Sequence, residues 1–146
     1  RSRSMNTVLR GGCHCANVEV ALETALDTRS LPLRACQCSF CRRHGGITTS
    51  DPAGRLVVEV GERELLQRYR FALGVTEFLI CRTCGVYVAA VMPTDAGMLG
   101  VINVNVLEDR APFARPPQPM EYGSETAEDR GARRAKVWMP VELRLR

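Results

Sequence analysis

Three cysteines crowd six positions of the segment ACQCSFC, at Cys36, Cys38 and Cys41. A thiolate is both a nucleophile and a soft metal ligand, so sulfur at this density implies one of those two uses. Two further pairs, Cys13 with Cys15 and Cys81 with Cys84, complete the seven cysteines of the chain. An odd number disfavours a complete disulfide framework, and tight clustering points to zinc. A tetrahedral zinc with Zn–S near 2.3 Å sets its sulfurs about 3.8 Å apart, whereas side chains two apart on a flat strand are separated by about 6.5–7 Å. A C-x-C pair therefore needs a bent chain. Gly11 and Gly12 before the first pair, and Gly85 after CRTC, are where the bends are expected.

The count divides as four plus three. The distant pairs Cys13, Cys15, Cys81 and Cys84 can close one structural site, which adds folding energy and stays chemically quiet. The trio can hold a second zinc with one position open to water or substrate, and this second ion is the one expected to be labile. Three alternatives compete with the open site: His44, three residues after Cys41, supplies a fourth ligand; one trio cysteine joins the other site; or no metal binds. The chemistry of an open zinc is to deprotonate an incoming thiol, giving a nucleophile for a small carbonyl. Three thiolates on Zn²⁺ leave a charge of −1, which Arg34, Arg42 and Arg43 stand ready to offset. Arg42 and Arg43 are also candidates to receive substrate carboxylates, against the plainer reading that they sit in water. For His44 the order is solvent-facing or supporting residue, then general acid, then ligand. His14, between two ligands, is expected to point away from the metal and to pack or hydrogen-bond.

The elements that must position these residues read mostly as strands. NVEVALE (17–23) alternates, RLVVEV (55–60) is β-branched, and LLQRYRF (65–71) with VTEFLIC (75–81) suggests a hairpin about Gly74. GVYVAAV (85–91) and MLGVINVNVL (98–107) are the strongest strands, with a turn from Pro93 to Gly97. Short helical turns are expected over SFCRRHG and over ETAEDRGARR (125–134). The proline-rich APFARPPQP (111–119) reads as an extended surface excursion, and Trp138 in the tail needs a buried berth.

Length suits a single domain over residues 5–146, with RSRS before Met5 reading as an expression scar. The formal charge of +4 falls to +2 without Arg1 and Arg3, and to −1 with seven thiolates and two zinc ions. With only 5% aromatic residues, this argues against nucleic acid as a partner, and RGARRAK (130–136) reads as a solvated face. No apolar run is long enough for a membrane span and no signal peptide follows Met5, so the expectation is a cytoplasmic protein with reduced thiols.

GGCHC, CQCSFCRRHGG and CRTCG, in this order and spacing between Val8 and Leu107, resemble the glutathione-dependent formaldehyde-activating enzyme family, which includes centromere protein V. The resemblance implies a mainly β, β-tent fold of packed antiparallel sheets, similar to methionine sulfoxide reductase B. It implies a structural zinc on Cys13, Cys15, Cys81 and Cys84 and a catalytic zinc on Cys36, Cys38 and Cys41. It further implies a carbon–sulfur lyase-type reaction joining glutathione to formaldehyde as S-hydroxymethylglutathione. The region after the last strands departs from the family, which commonly shows Asp-Pro, a histidine, then serine and tryptophan; here Met120 stands near the expected histidine, and Tyr122, Ser124 and Trp138 keep part of the pattern. That departure leaves open a thiol other than glutathione. The alternative function is a non-catalytic zinc-stabilised binding module. No cysteine follows Cys84 to serve as a reductase nucleophile.

Overall fold

The computed structural model describes residues 6–146, so the RSRS segment lies outside the described residues. In chain order the strands are β1 (Thr7–Gly12), β2 (Val18–Thr24), β3 (Arg34–Cys36), β4 (Thr48–Thr49), β5 (Arg55–Val60), β6 (Leu66–Tyr69), β7 (Glu77–Cys81), β8 (Tyr87–Thr94), β9 (Gly97–Asn103), β10 (Gln118–Met120) and β11 (Met139–Leu145). Two α-helices, α1 (Ser39–His44) and α2 (Ala127–Val137), accompany them. The fold is mainly β.

Alternation builds the first sheet. Val18, Val20 and Leu22 of β2 point inward, with β1 antiparallel on one edge and β5 on the other. β11 then adds to β5 in parallel, Val141 opposite Leu56. The first two residues of β11 pair instead with β9, Met139 opposite Gly100, so this one strand joins the two sheets. The second sheet is the antiparallel meander β6–β7–β8–β9. The far edge of β9 is shared by β11 and by β4, which leads to β3 and β10. The expected antiparallel packing thus includes two parallel pairings, β11 with β5 and β10 with β3.

β8 explains why the site has a foundation. Its residues Tyr87 to Met92 are all buried, a continuous apolar run covered on both faces. Val88 and Val91 face the main core with Val18, Leu22, Val58 and Leu79. Tyr87, Ala90 and Met92 face a second cluster with Phe78, Val101, Trp138 and Cys41. Trp138 has its buried berth there.

Three local expectations change. MLGVINVNVL does not run as one strand: β9 ends at Asn103, whose side chain accepts from Asn105 N and starts a 3₁₀ turn over Val104–Val106. Pro93 belongs to β8 rather than to the following turn. The proline-rich segment is not a free excursion, since Phe113 is buried in the core and Pro119 sits in the edge strand β10, where a missing N–H is tolerated. β10 sets Met120 opposite Cys36.

Candidate metal centres and active-site cavity

The four-cysteine centre joins two turns. Cys13 N bonds back to Val18 O at 2.9 Å and Ala16 N to Cys13 O at 3.2 Å, closing a tight loop in which Ala16 takes a left-handed φ of 69°. On the other side Gly85 N bonds to Cys81 O at 2.8 Å, with Gly85 at φ 79° as the turn requires. The left-handed residue of the turn that carries Cys13 and Cys15 is therefore Ala16, not either of the preceding glycines. Gly11 and Gly12 lie within β1 and serve close approach: a Cβ on Gly11 would stand 1.9 Å from Val106 O, and one on Gly12 would stand 2.4 Å from Val18 O.

Cys13 and Cys15 sulfurs are 3.8 Å apart, Cys15 and Cys81 sulfurs 3.6 Å, and all four ligand atoms lie within 4.8 Å of one another. These are the edges of a zinc–thiolate tetrahedron, and a set of four soft sulfurs matches that ion. Val18 N also donates to Cys13 Sγ at 3.3 Å, a bond that favours the thiolate. Without a cation, burial pushes the Cys13 thiol up to about 11. At Cys84 burial acts in the same direction, but the backbone N–H groups of Val86 and Cys15, with bonds from the Cys81 and Cys13 thiols, outweigh it and bring the thiol down to about 6. His14 is exposed rather than packed.

The second centre is built from a strand end and a helix start. Cys36 closes β3, Cys38 is the N-cap of α1, and Cys41 lies in the first turn. Cys38 Sγ accepts from Cys41 N at 3.4 Å, so one sulfur both starts the helix and faces its partners. Gly45 ends the helix in a left-handed conformation at φ 60°. The three sulfurs lie within 4.8 Å of one another. A hydrogen bond from the Cys41 thiol holds Cys36 down to about 6, and the same bond, with burial, pushes Cys41 up. These sulfurs also fit zinc, with three ligands rather than four.

His44 does not join that cluster. It is exposed, and its ring packs 4.4 Å from Phe40 and 5.5 Å from Tyr87 between centroids. Arg42 and Arg43 are also exposed and bond backbone carbonyls, Arg42 Nε to Gln37 O at 3.1 Å and Arg43 Nη1 to Ser39 O at 3.1 Å. Arg42 borders an open hollow of about 320 Å³ with Cys36 and Cys41, whereas neither arginine lines the larger cavity on the other side of the trio.

That cavity, about 360 Å³, has Cys36 and Cys38 in one wall and the loop Phe71–Thr76 in another. Glu121, Tyr122 and Glu125 border it, and α2 contributes Arg130 and Arg134. A small adjoining pocket of about 60 Å³ is lined by Cys36, Cys41, Arg34, Arg133 and Arg134. The cations near the trio thus include Arg34, as the sequence suggests, and those of RGARRAK, which reads from sequence as a solvated face. The available signal was spacing: Arg130, Arg133 and Arg134 recur at three and four residues and share a helix face. Glu125 ties two of them, bonding Arg133 Nε at 2.7 Å and Arg130 Nε at 3.3 Å. Thr126 caps the helix by accepting from Asp129 N. Arg34 reaches Ser50 Oγ at 3.0 Å, and Ser50 donates to Val137 O, which fastens the end of α2 beside β3.

The sequence model of a family described as glutathione-dependent formaldehyde-activating enzyme matches residues 8–121. The chain belongs to that family. A crystal structure of a Rhodobacter sphaeroides protein is similar to this family member, with 32% identity over 77% of this chain and 99% of that one, and a TM-score of 0.60. No curated protein sequence matches. The match to the formaldehyde-activating enzyme family takes in all seven cysteines and stops before α2, so the arginines of the cavity lie beyond it. Among the described residues no helix is long and apolar enough to cross a membrane.

Proposed function

We propose that the protein is a zinc-dependent carbon–sulfur lyase-type enzyme that forms or cleaves the adduct of a small thiol, glutathione or a relative, with formaldehyde or another small carbonyl. The observation that carries this reading is the contrast between the two centres. One has four cysteine sulfurs; the other has three, no fourth His, Cys, Asp or Glu ligand among the described residues, and a cavity of about 360 Å³ against it. Zinc held by Cys36, Cys38 and Cys41 would supply a Lewis acid that keeps a substrate thiol in its nucleophilic form.

The chain's own residues do the rest. Cys36 and Cys38 define the end of the cavity toward which the sulfur of the substrate is directed. Phe71, Val75 and Phe78 give that space apolar walls and strengthen every charge interaction within it. The arginines of α2 offset negative charge from three thiolates and an incoming fourth. Tyr122, at the border, stays protonated because burial raises its hydroxyl. It is the residue we assign to donate a hydrogen bond to the oxygen of the new hydroxymethyl group. Arg42, beside Cys36 and Cys41 on the open side of the trio, adds positive charge there, while Arg43 and His44 contribute charge and packing at the surface of α1.

A metal count separates this from a non-catalytic zinc module. Two zinc ions per chain, one removed by a mild chelator and protected or displaced by added glutathione, support the enzyme. Two tightly held ions indifferent to thiols would mark the module.

A further inference from the structure

Arg134 is 7% exposed, the one buried arginine among the described residues, and no described carboxylate pairs with it. Its Nη1 donates to Thr76 Oγ1 and reaches Met92 Sδ at 3.5 Å. The guanidinium lies 4.0 Å over the Trp138 ring, and its buried Nε has no hydrogen-bond partner. A hydroxyl and a ring face cover only part of what a buried cation loses on leaving water. The neighbouring arginines make this worse by adding charge of the same sign. They differ from Arg134 in being satisfied, since Glu125 bridges Arg130 and Arg133. Burial, reinforced by Arg133 and Arg130, brings Arg134 down to about 10, which leaves it charged at neutral pH.

The unpaired guanidinium faces the cavity that also holds Cys36 and Cys38. We propose that Arg134 is the receptor for a carboxylate carried by the thiol substrate, so that the cavity selects thiols with an acid group a few bonds from sulfur. The proposal rests on the reading of the cysteine trio as the thiol site. An arginine fork fits a carboxylate with two parallel bonds, and it does so most strongly between apolar walls. A cavity near the lower end of the usual range of about 300–1,000 Å³ keeps the sulfur and acid ends of its occupant close together. Of the two acidic residues at the border, Glu125 is already neutralised and Glu121 is exposed at the rim, so neither competes for Arg134.

The test compares 3-mercaptopropionate with 3-mercaptopropionamide by titration into cobalt-substituted protein, reading the visible spectrum. The wild type should bind the acid at least about tenfold more tightly, the gain expected of one charge-assisted hydrogen-bonding pair. R134Q should erase that preference by weakening the acid far more than the amide, and R134K should keep part of it. Equal affinities in the wild type, or an R134Q loss shared equally by acid and amide, would overturn the proposal. If R134Q does not fold, the wild-type comparison and R134K still decide. Butyrate, which has no sulfur, should raise the melting temperature of zinc-loaded wild type and not of R134Q; butyramide should do neither. Butyrate stabilisation with no spectral response to either thiol supports the carboxylate receptor and sinks the thiol-site reading. A normal thiol response with no butyrate effect and no acid preference sinks the receptor alone.

Discussion

Cys15 and Cys81 hold their sulfurs 3.6 Å apart although 66 positions separate them in the chain. A metal held at that point would join the β1–β2 turn to the end of β7 and close a long loop, where the chain entropy removed is large. Cys84 is the partly exposed member of the set, so its replacement tests the centre with little loss of packing. Cys84→Ser should remove the first zinc and destabilise the fold by on the order of 4 kcal/mol or more, lowering the melting temperature by roughly 10 °C. Calorimetry with a zinc assay checks this, and an unchanged melting temperature would contradict the structural assignment.

Cys38→Ser should behave in the opposite way. Serine is among the best N-cap residues, so the substituted oxygen can still accept from Cys41 N and α1 should persist. The second centre keeps two sulfurs and should lose its metal. Expected are one zinc per chain, a melting temperature within a few degrees of wild type, and loss of thiol-adduct turnover by at least about a hundredfold. Unfolding of the variant, or retained turnover, would count against the division of roles between the centres.

Much of this could be read from the chain. Alternation at Val18, Val20 and Leu22, the β-branched run 55–60 and the buried run 87–92 specify their strands locally. The three cysteine clusters specify their grouping, because sulfur spacing carries the metal geometry. The cavity was harder. Arg134 becomes a site residue only because α2 folds back beside β8, and a contact with Thr76, 58 positions away, leaves no local pattern. Arg42 and Arg43 adjoin the trio in sequence, yet a helix of 100° per residue keeps both out of the larger cavity. Gly11 and Gly12 suggested a bend because glycine permits one, but their absent side chains answer to Val106 and Val18, which sequence proximity to Cys13 did not reveal.

That last point is testable. Gly11 has no left-handed φ, so alanine is not excluded by its backbone; it is excluded by Val106 O, 1.9 Å from where the Cβ would stand. Backbone cannot rotate away as a side chain can. Gly11→Ala should therefore separate β1 from the 104–107 turn and destabilise the protein by about 1–3 kcal/mol, the usual cost of overpacking. Denaturant titration should show a lower midpoint with an unchanged slope. A midpoint equal to wild type would mean the strands can part freely.

Acid stability should depend on Glu77. Its carboxylate is buried at the start of β7 between two half-exposed arginines, with Arg68 Nη2 at 2.8 Å and Arg70 bonded to the other oxygen. Burial alone would raise this carboxyl; the Arg70 and Arg68 guanidiniums outweigh burial and hold it below the ordinary value of 4.5. A group depressed on folding stabilises the native state above its unfolded value, and that contribution is lost as pH falls through the folded value. The Glu77 contribution is thus complete above about pH 5, starts to decline near pH 4.5 and is gone only below the depressed folded value. Glu77→Gln should be less stable than wild type at pH 7, with the gap closing as pH drops below 4.5, because protonated glutamate and glutamine then present similar groups to the arginines. Denaturant midpoints measured for both proteins between pH 3 and 8, with chelator present throughout so that metal release does not differ between them, supply the comparison. A gap that stays constant across that range would show that Glu77 acts through packing rather than charge.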